Sequence, residues 1–161
     1  LGIDPEKIRK ALASFLGVKR RFEYILKDQK HIYIDDYAHH PEELRACIQA
    51  VKTLYPGKKL TTIFQPHLFT RTRDFADGFA EVLSMTDELI MLDIYPAREL
   101  PIEGVNSAMI LDKVSIEAKQ ILSKEQTLDY IRMQKPELLL TVGAGDIDTL
   151  IIQLKEILTN A

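Results

Sequence analysis

The stretch KLTTIFQPHLFTRTRDFADGFAEVLSMTDELIMLDIY, residues 59–95, decides the fold. It opens on a short apolar run, KLTTIF (59–64), which reads as a buried strand. RDFADGFAEVLSM (73–85) follows with apolar residues at helical spacing, and ELIMLDIY (88–95) is a second apolar strand. Two such strands joined through a helix of about a dozen residues make a βαβ unit, whose strands lie parallel. The same alternation continues in both directions.

Upstream, DPEKIRKALASFLG (4–17) starts a helix with a capping Asp4 and Pro5, lines one face with Ile8, Leu12 and Phe15, and stops at Gly17. RFEYILKDQKHIYIDD (21–36) alternates apolar and polar residues on both sides of Lys27-Asp28-Gln29-Lys30, the mark of a β-hairpin with a four-residue loop. Pro41 opens a helix carrying Leu44, Ile48, Val51 and Leu54, closed by Pro56-Gly57. Downstream, a Pro-rich loop (96–107) leads into a short helix at 107–113, a weak strand at 118–122 and a helix at 123–134. ELLLTV (137–142) is a further strand, Gly143-Ala144-Gly145-Asp146 a tight turn, and 147–159 the last helix. The expected fold is α/β: a mainly parallel open sheet, helices on both faces and an antiparallel hairpin at one edge.

Composition narrows the function classes. A chain of 161 residues, 46% hydrophobic and 28% charged, is long enough for one domain with a real core. Lys and Arg number 21 against 24 Asp and Glu, a net charge of −3, without the basic excess of nucleic-acid or membrane-surface proteins. No apolar run approaches the roughly 18 residues that span a bilayer. The single cysteine, Cys47, fits a reducing cytoplasm and reads as a packing residue within its helix. With Leu at position 1, no Met and no signal pattern, the chain reads as part of something longer.

Open parallel sheets bind ligands beyond the carboxyl ends of their strands. Asp35-Asp36-Tyr37-Ala38-His39-His40, Gln65-Pro66-His67, Asp93-Ile94-Tyr95-Pro96 and Gly143–Asp146 each follow a strand directly, so the polar chemistry lies on one rim. His39, His40 and His67 with Asp35 and Asp36 have ligand chemistry for zinc, but neither HxH nor HExxH spacing is present. Adjacent carboxylates on a strand face opposite sides, so Asp35-Asp36 is no glycosidase pair, and His40 before Pro41 suits a cap. GAGD is half of a dinucleotide fingerprint, and its glycines serve close packing equally well. Arg71 and Arg73, placed near the start of the 73–85 helix, oppose its dipole, which an anion there would explain. For Arg73 an ion pair with Asp74 or Asp77 explains it as well. Arg20-Arg21 forms a second cationic spot near Asp36.

Taken together, GVKRRFEYI, IDDYAHHPEEL, FQPHLFTRTRDF, LDIYPARELPIEGVNS and TVGAGDI resemble the Mur ligases, ATP-dependent amide ligases of peptidoglycan precursor synthesis. The resemblance covers nearly the whole chain and is to their Rossmann-like C-terminal domain. It implies that 1–16 ends a central ATPase domain or is a linker helix, and that 17–161 is the C-terminal domain. It also implies that the fragment is inactive alone, its partners being the other domains of the same chain. By position, Arg21 is implied at the ATP phosphates, Asp36 at the ribose, and Tyr37 and His39 near the nucleotide. His67 and Arg71 match positions that meet the incoming amino acid. Mg²⁺ and the phosphates are implied to be held mainly by the central domain. DYAHHP and FQPHxxTRTRDF are the segments expected of members that add L-alanine to UDP-N-acetylmuramate. Members that reattach a recycled tripeptide share DDxAHHP, and the TRTRDF stretch favours the alanine-adding ones. Leu68 departs from the pattern, where a basic residue is often expected. A stand-alone nucleotide-binding module is the remaining alternative.

Overall fold

Strand β1 (Glu23–Lys27) and strand β2 (Ile32–Asp36) form the hairpin, antiparallel and with a bulge between Tyr24 and Leu26. The computed structural model describes residues 2–15 and 17–160; Leu1 and Leu16, which the reading assigns to a preceding domain or linker, and Ala161 lie outside the described residues. Strands β3 (Leu60–Phe64), β4 (Glu88–Met91), β5 (Lys119–Ile121) and β6 (Leu138–Val142) complete a six-stranded sheet in the order β1-β2-β6-β3-β4-β5. Every pairing except β1 with β2 is parallel, so the hairpin supplies the antiparallel edge that the sequence predicts. β3, β4 and β6 are buried along their whole length, which is why they read as unbroken apolar runs.

Helices cover both faces. Helix α2 (Pro41–Leu54) packs Leu44, Ile48 and Val51 on one face. Helix α3 (Phe69–Asp74) leads into α4 (Ala76–Leu83) and the short α5 (Ala108–Leu111), whose Phe79, Leu83 and Ile110 join the same core. On the other face, α6 (Lys124–Gln134) and α7 (Ile151–Thr159) bring Ile131, Leu154 and Leu158 against Tyr33, Ile63, Ile90 and Leu139. The remaining helix, α1 (Pro5–Ala13), is capped by Asp4 as expected but buries none of its residues. No helix among the described residues is long and apolar enough to cross a membrane.

Several boundaries differ from the sequence reading. The single helix expected over 73–85 is two helices, because the chain turns helical already at Phe69 and Phe75 (φ −117°, ψ 17°) leaves α geometry between them. β4 stops at Met91, and an isolated parallel bridge between His67 and Tyr95 follows four residues later. The last helix begins as a 3-10 turn, Asp146–Leu150. The hairpin loop occupies 28–31, closed by the Lys27–Ile32 pair. Since β6 lies between β2 and β3, with Asp36 and Phe64 both level with Val142, the carboxyl ends of these three strands open on one place.

Candidate active site at the carboxyl rim of the sheet

The two aspartates at the end of β2 face opposite ways, as alternation requires. Asp35 is fully buried: Oδ2 accepts from Arg20 Nε at 3.1 Å and Oδ1 from Thr141 Oγ1 at 2.6 Å. Burial pushes its carboxyl pKa up, opposed by Thr141 and Arg20. Arg20, in left-handed backbone (φ 57°), also donates Nη2 to the Gly143 carbonyl at 2.6 Å and lies 5.1 Å from the Tyr37 ring centre. A buried charge whose partner is removed costs about 3–5 kcal/mol, so this pair fixes the approach segment to the sheet. Asp36 accepts the Phe22 and Ala38 amides, one on each carboxylate oxygen, both at 2.7 Å. It thereby ties Phe22, in the segment before β1, to the turn that follows β2.

In front of these supports runs a continuous row of side chains. Arg21 is exposed, its guanidinium 5.9 Å from the Tyr37 ring centre. Tyr37 meets His39 edge-on at 5.3 Å, and His39 meets His67 at 6.1 Å. His39 Nδ1 lies 2.9 Å from the Tyr37 carbonyl, so that nitrogen carries the proton and Nε2 is left outward. His67 stacks on Tyr95 at 5.8 Å, and its Nδ1 accepts from Arg71 Nη1 at 3.3 Å. Burial pulls the His67 pKa down, and the Arg71 charge pulls it further. Among the described residues neither Arg21 nor Arg71 is in an ion pair, although the charge of Arg21 helps to lower the pKa of the Glu43 carboxyl. Guanidinium groups so placed, with imidazoles between them, have the chemistry to bind anions.

Arg71 and Arg73 lie in the last turn of α3, where a cation suits the helix dipole. The sequence argument from an opposing dipole therefore fails for both, since the helix begins earlier than predicted. Arg73 is paired with Asp74 at 2.7 Å on the open surface, the ordinary alternative for it. Arg71 keeps its standing as an anion-binding group on its lack of an acid. His40 packs its ring on Phe75 at 4.6 Å, and Glu43 accepts the His39 and His40 amides, so His40 serves the start of α2. Cys47 is a buried packing residue. Asp35 and Asp36 are both committed elsewhere, and no metal-holding group of His, Cys, Asp and Glu occurs among the described residues.

The glycine turn after β6 is built for close approach. A Cβ on Gly143 (φ 147°) would sit 2.8 Å from the Gln65 carbonyl oxygen. One on Gly145 would sit 2.6 Å from Tyr95 Cβ and closer still to Gln65 Oε1. Gln65 itself bonds Asp146 Oδ1 through Nε2 at 2.8 Å and receives the Ile147 amide at 2.9 Å. Two amides of this turn are thus already engaged, that of Ile147 by Gln65 and that of Gly143 by the Asp36 carbonyl.

With that geometry in place, similarity to known proteins can be read. The family model for the Mur ligase, glutamate ligase domain, matches residues 20–145. This chain belongs to the Mur ligase family. It is 57% identical over 157 residues to the UDP-N-acetylmuramate–L-alanine ligase of Parabacteroides distasonis, covering 98% of the chain and 34% of that protein. It is 52% identical to the enzyme of the same name from Flavobacterium johnsoniae, covering 98% and 35%. Among solved structures it resembles the UDP-N-acetylmuramate–alanine ligase of Thermotoga maritima, with a TM-score of 0.71, 28% identity, and 99% and 33% coverage. A murein peptide ligase from Psychrobacter arcticus has the same fold, with a TM-score of 0.71 at 19% identity, over 99% of the chain and 34% of that protein. The chain spans about a third of the length of the curated relatives it matches.

In this Mur ligase domain the structure brings Arg21, Tyr37, His39, His67 and Arg71 into one row and ties Asp36 to the Phe22 and Ala38 amides. Sequence reasoning did not read Arg20, Gln65 and Tyr95 as supports of that row. Gln65 and Tyr95 stood on the predicted rim, so their placement was visible and their partners were not. Leu68 adopts φ 70°, ψ 135°, a strained conformation directly after His67.

Proposed function

We propose that the chain is the C-terminal domain of an ATP-dependent ligase that joins L-alanine to UDP-N-acetylmuramate through an acyl phosphate. The observation that carries this reading is Arg71: a half-buried guanidinium bonded to a neutral-favouring His67 and to no acid among the described residues. Such a group holds a carboxylate by charge-assisted hydrogen bonds, which suits the carboxylate of a free amino acid. The relatives' names point to L-alanine as that amino acid.

On this reading the terminal phosphoryl group of ATP passes to the muramoyl carboxylate, and the alanine amine then displaces phosphate to form the amide. Arg71 and His67 fix the alanine carboxylate and aim the amine at the acyl carbon. Arg21, exposed and in no ion pair among the described residues, meets the nucleotide phosphates, and Tyr37 and His39 line the nucleotide's side of the row. Asp36, whose two carboxylate oxygens each hold one backbone amide, offers its remaining lone pairs to the ribose. Mg²⁺ would neutralise the transferring charge. The rim presents cations rather than an open carboxylate cluster, so the metal fits the part of the enzyme outside this chain. Residues 1–16 are then the end of the central domain or a linker, and 17–161 the domain that closes over the bound substrates and excludes water.

The test is phosphate release from ATP by the full-length enzyme with UDP-N-acetylmuramate, offering L-alanine or the recycled tripeptide. Release with L-alanine is expected, and Arg71→Ala raises the KM for alanine about 10- to 100-fold. Release with the tripeptide alone would assign the chain to the recycling ligase instead.

A further inference from the structure

Helix α3 carries Arg71, yet six residues do not hold a helix by themselves. Its N-cap residue is Leu68, which has no side-chain acceptor to offer the first amides. Those amides are satisfied from a distance. Glu99, 29 residues downstream, accepts the Thr70 amide on Oε2 at 2.9 Å and the Thr70 hydroxyl on Oε1. The Phe69 amide adds a further bond to the same carboxylate. The loop that presents Glu99 is itself closed by the Glu99 amide on the Pro96 carbonyl at 2.9 Å, with Ala97 in left-handed backbone. Upstream in that loop, Tyr95 donates its amide to Pro66 and receives the Leu68 amide, both at 2.9 Å, and stacks its ring on His67. The loop after β4 therefore grips the His67–Arg71 segment at both ends.

We propose that Glu99 is a positioning residue for the amino-acid site: its carboxylate caps α3 from the neighbouring loop and so sets where the Arg71 guanidinium stands. Tyr95 fixes the other end of the segment by holding the His67 ring. The geometry follows from the chain itself, because a capping Ser, Thr, Asp or Asn is absent from position 68 and a carboxylate from elsewhere takes its role. The charge of Glu99 also faces His67, which couples the cap to the imidazole that Arg71 bonds. Nothing here requires Glu99 to touch substrate.

This inference rests on the reading of Arg71 as the carboxylate holder, and the experiment separates the two. In the full-length enzyme, steady-state phosphate release is measured for wild type, Arg71→Ala, Glu99→Ala and Glu99→Gln, varying L-alanine, ATP and UDP-N-acetylmuramate in turn. Glu99→Ala is expected to raise the KM for L-alanine about tenfold, and Glu99→Gln, which keeps one acceptor oxygen, by less. The KM values for ATP and UDP-N-acetylmuramate stay at their wild-type values. A loop with a merely structural role would move all three together, and that result overturns the proposal. An unchanged alanine KM in Glu99→Ala, with a raised one in Arg71→Ala, also overturns it while sparing the reading of the site. An unchanged alanine KM in Arg71→Ala removes the reading and this inference with it.

Discussion

Two groups compete for charge where His67 meets Arg71, and the guanidinium keeps it. Burial pulls the imidazole pKa down, the Arg71 and His39 neighbours add to that, and Glu99 opposes them. The folded pKa thus lies below the ordinary 6.5, so the unfolded chain takes up the proton first as the pH falls. The stability held in neutral His67 is complete above 6.5 and drains away as the pH drops through the depressed folded value. Protonation would also turn Nδ1 from an acceptor into a donor and break its bond to Arg71. An NMR titration of the His67 ring should show a midpoint under 6.5, moving up towards it in Arg71→Ala. A midpoint that ignores the substitution would mean the guanidinium is not what depresses it. The sequence showed both residues, four positions apart, but not their bond. That spacing pairs side chains within a helix, but His67 lies before α3, separated from it by Leu68 at φ 70°, so the contact depends on a backbone turn that no local pattern in the sequence marks.

Elements were legible where one segment's own pattern decides, and obscure where a remote segment does. β3, β4 and β6 announce themselves because both faces are buried and nearly every residue is apolar or small. The start of α3 carries no such mark, since its cap comes from Glu99 in another loop. Glycines in the turn after β6 present the same difficulty: phosphate cradle and close packing write the same letters. Here packing decides, because Gln65 and Tyr95 press on Gly145 from across the sheet. Gly145 has φ −85°, so the backbone itself tolerates a side chain and only space forbids it. Gly145→Ala should therefore destabilise the domain by about 1–3 kcal/mol through overpacking. Urea unfolding would read this as a lower midpoint at unchanged slope. A midpoint equal to wild type would show that Gln65 and Tyr95 yield freely, and would reopen the turn to other roles.

Across the whole molecule, cohesion begins at Arg20 rather than at the first residue. The Tyr37 amide on the Arg20 carbonyl, the Arg20–Asp35 ion pair and the Phe22 amide on Asp36 attach residues 20–22 to the end of β2. Before them, α1 has a cap and a proline in its first turn but buries none of its residues: Ile8 and Leu12 are 45% and 69% exposed. A helix of nine residues is marginal in water without tertiary packing. The amphipathic pattern that makes α1 easy to read in sequence therefore describes a face that is not buried among the described residues. The proposal that 1–16 is part of a preceding domain or linker can be tested on that helix. Removing residues 1–16 should accordingly leave the thermal midpoint within about 2 °C of the longer chain, since every described residue among them is exposed. Amide exchange in the longer chain should run fast through α1 and slow through β3 and β6. A drop of about 5 °C or more on truncation would mean that α1 belongs to the domain after all. In that case the boundary would have to move upstream of Pro5, and the exposed face of Ile8 and Leu12 would need a partner within this fold.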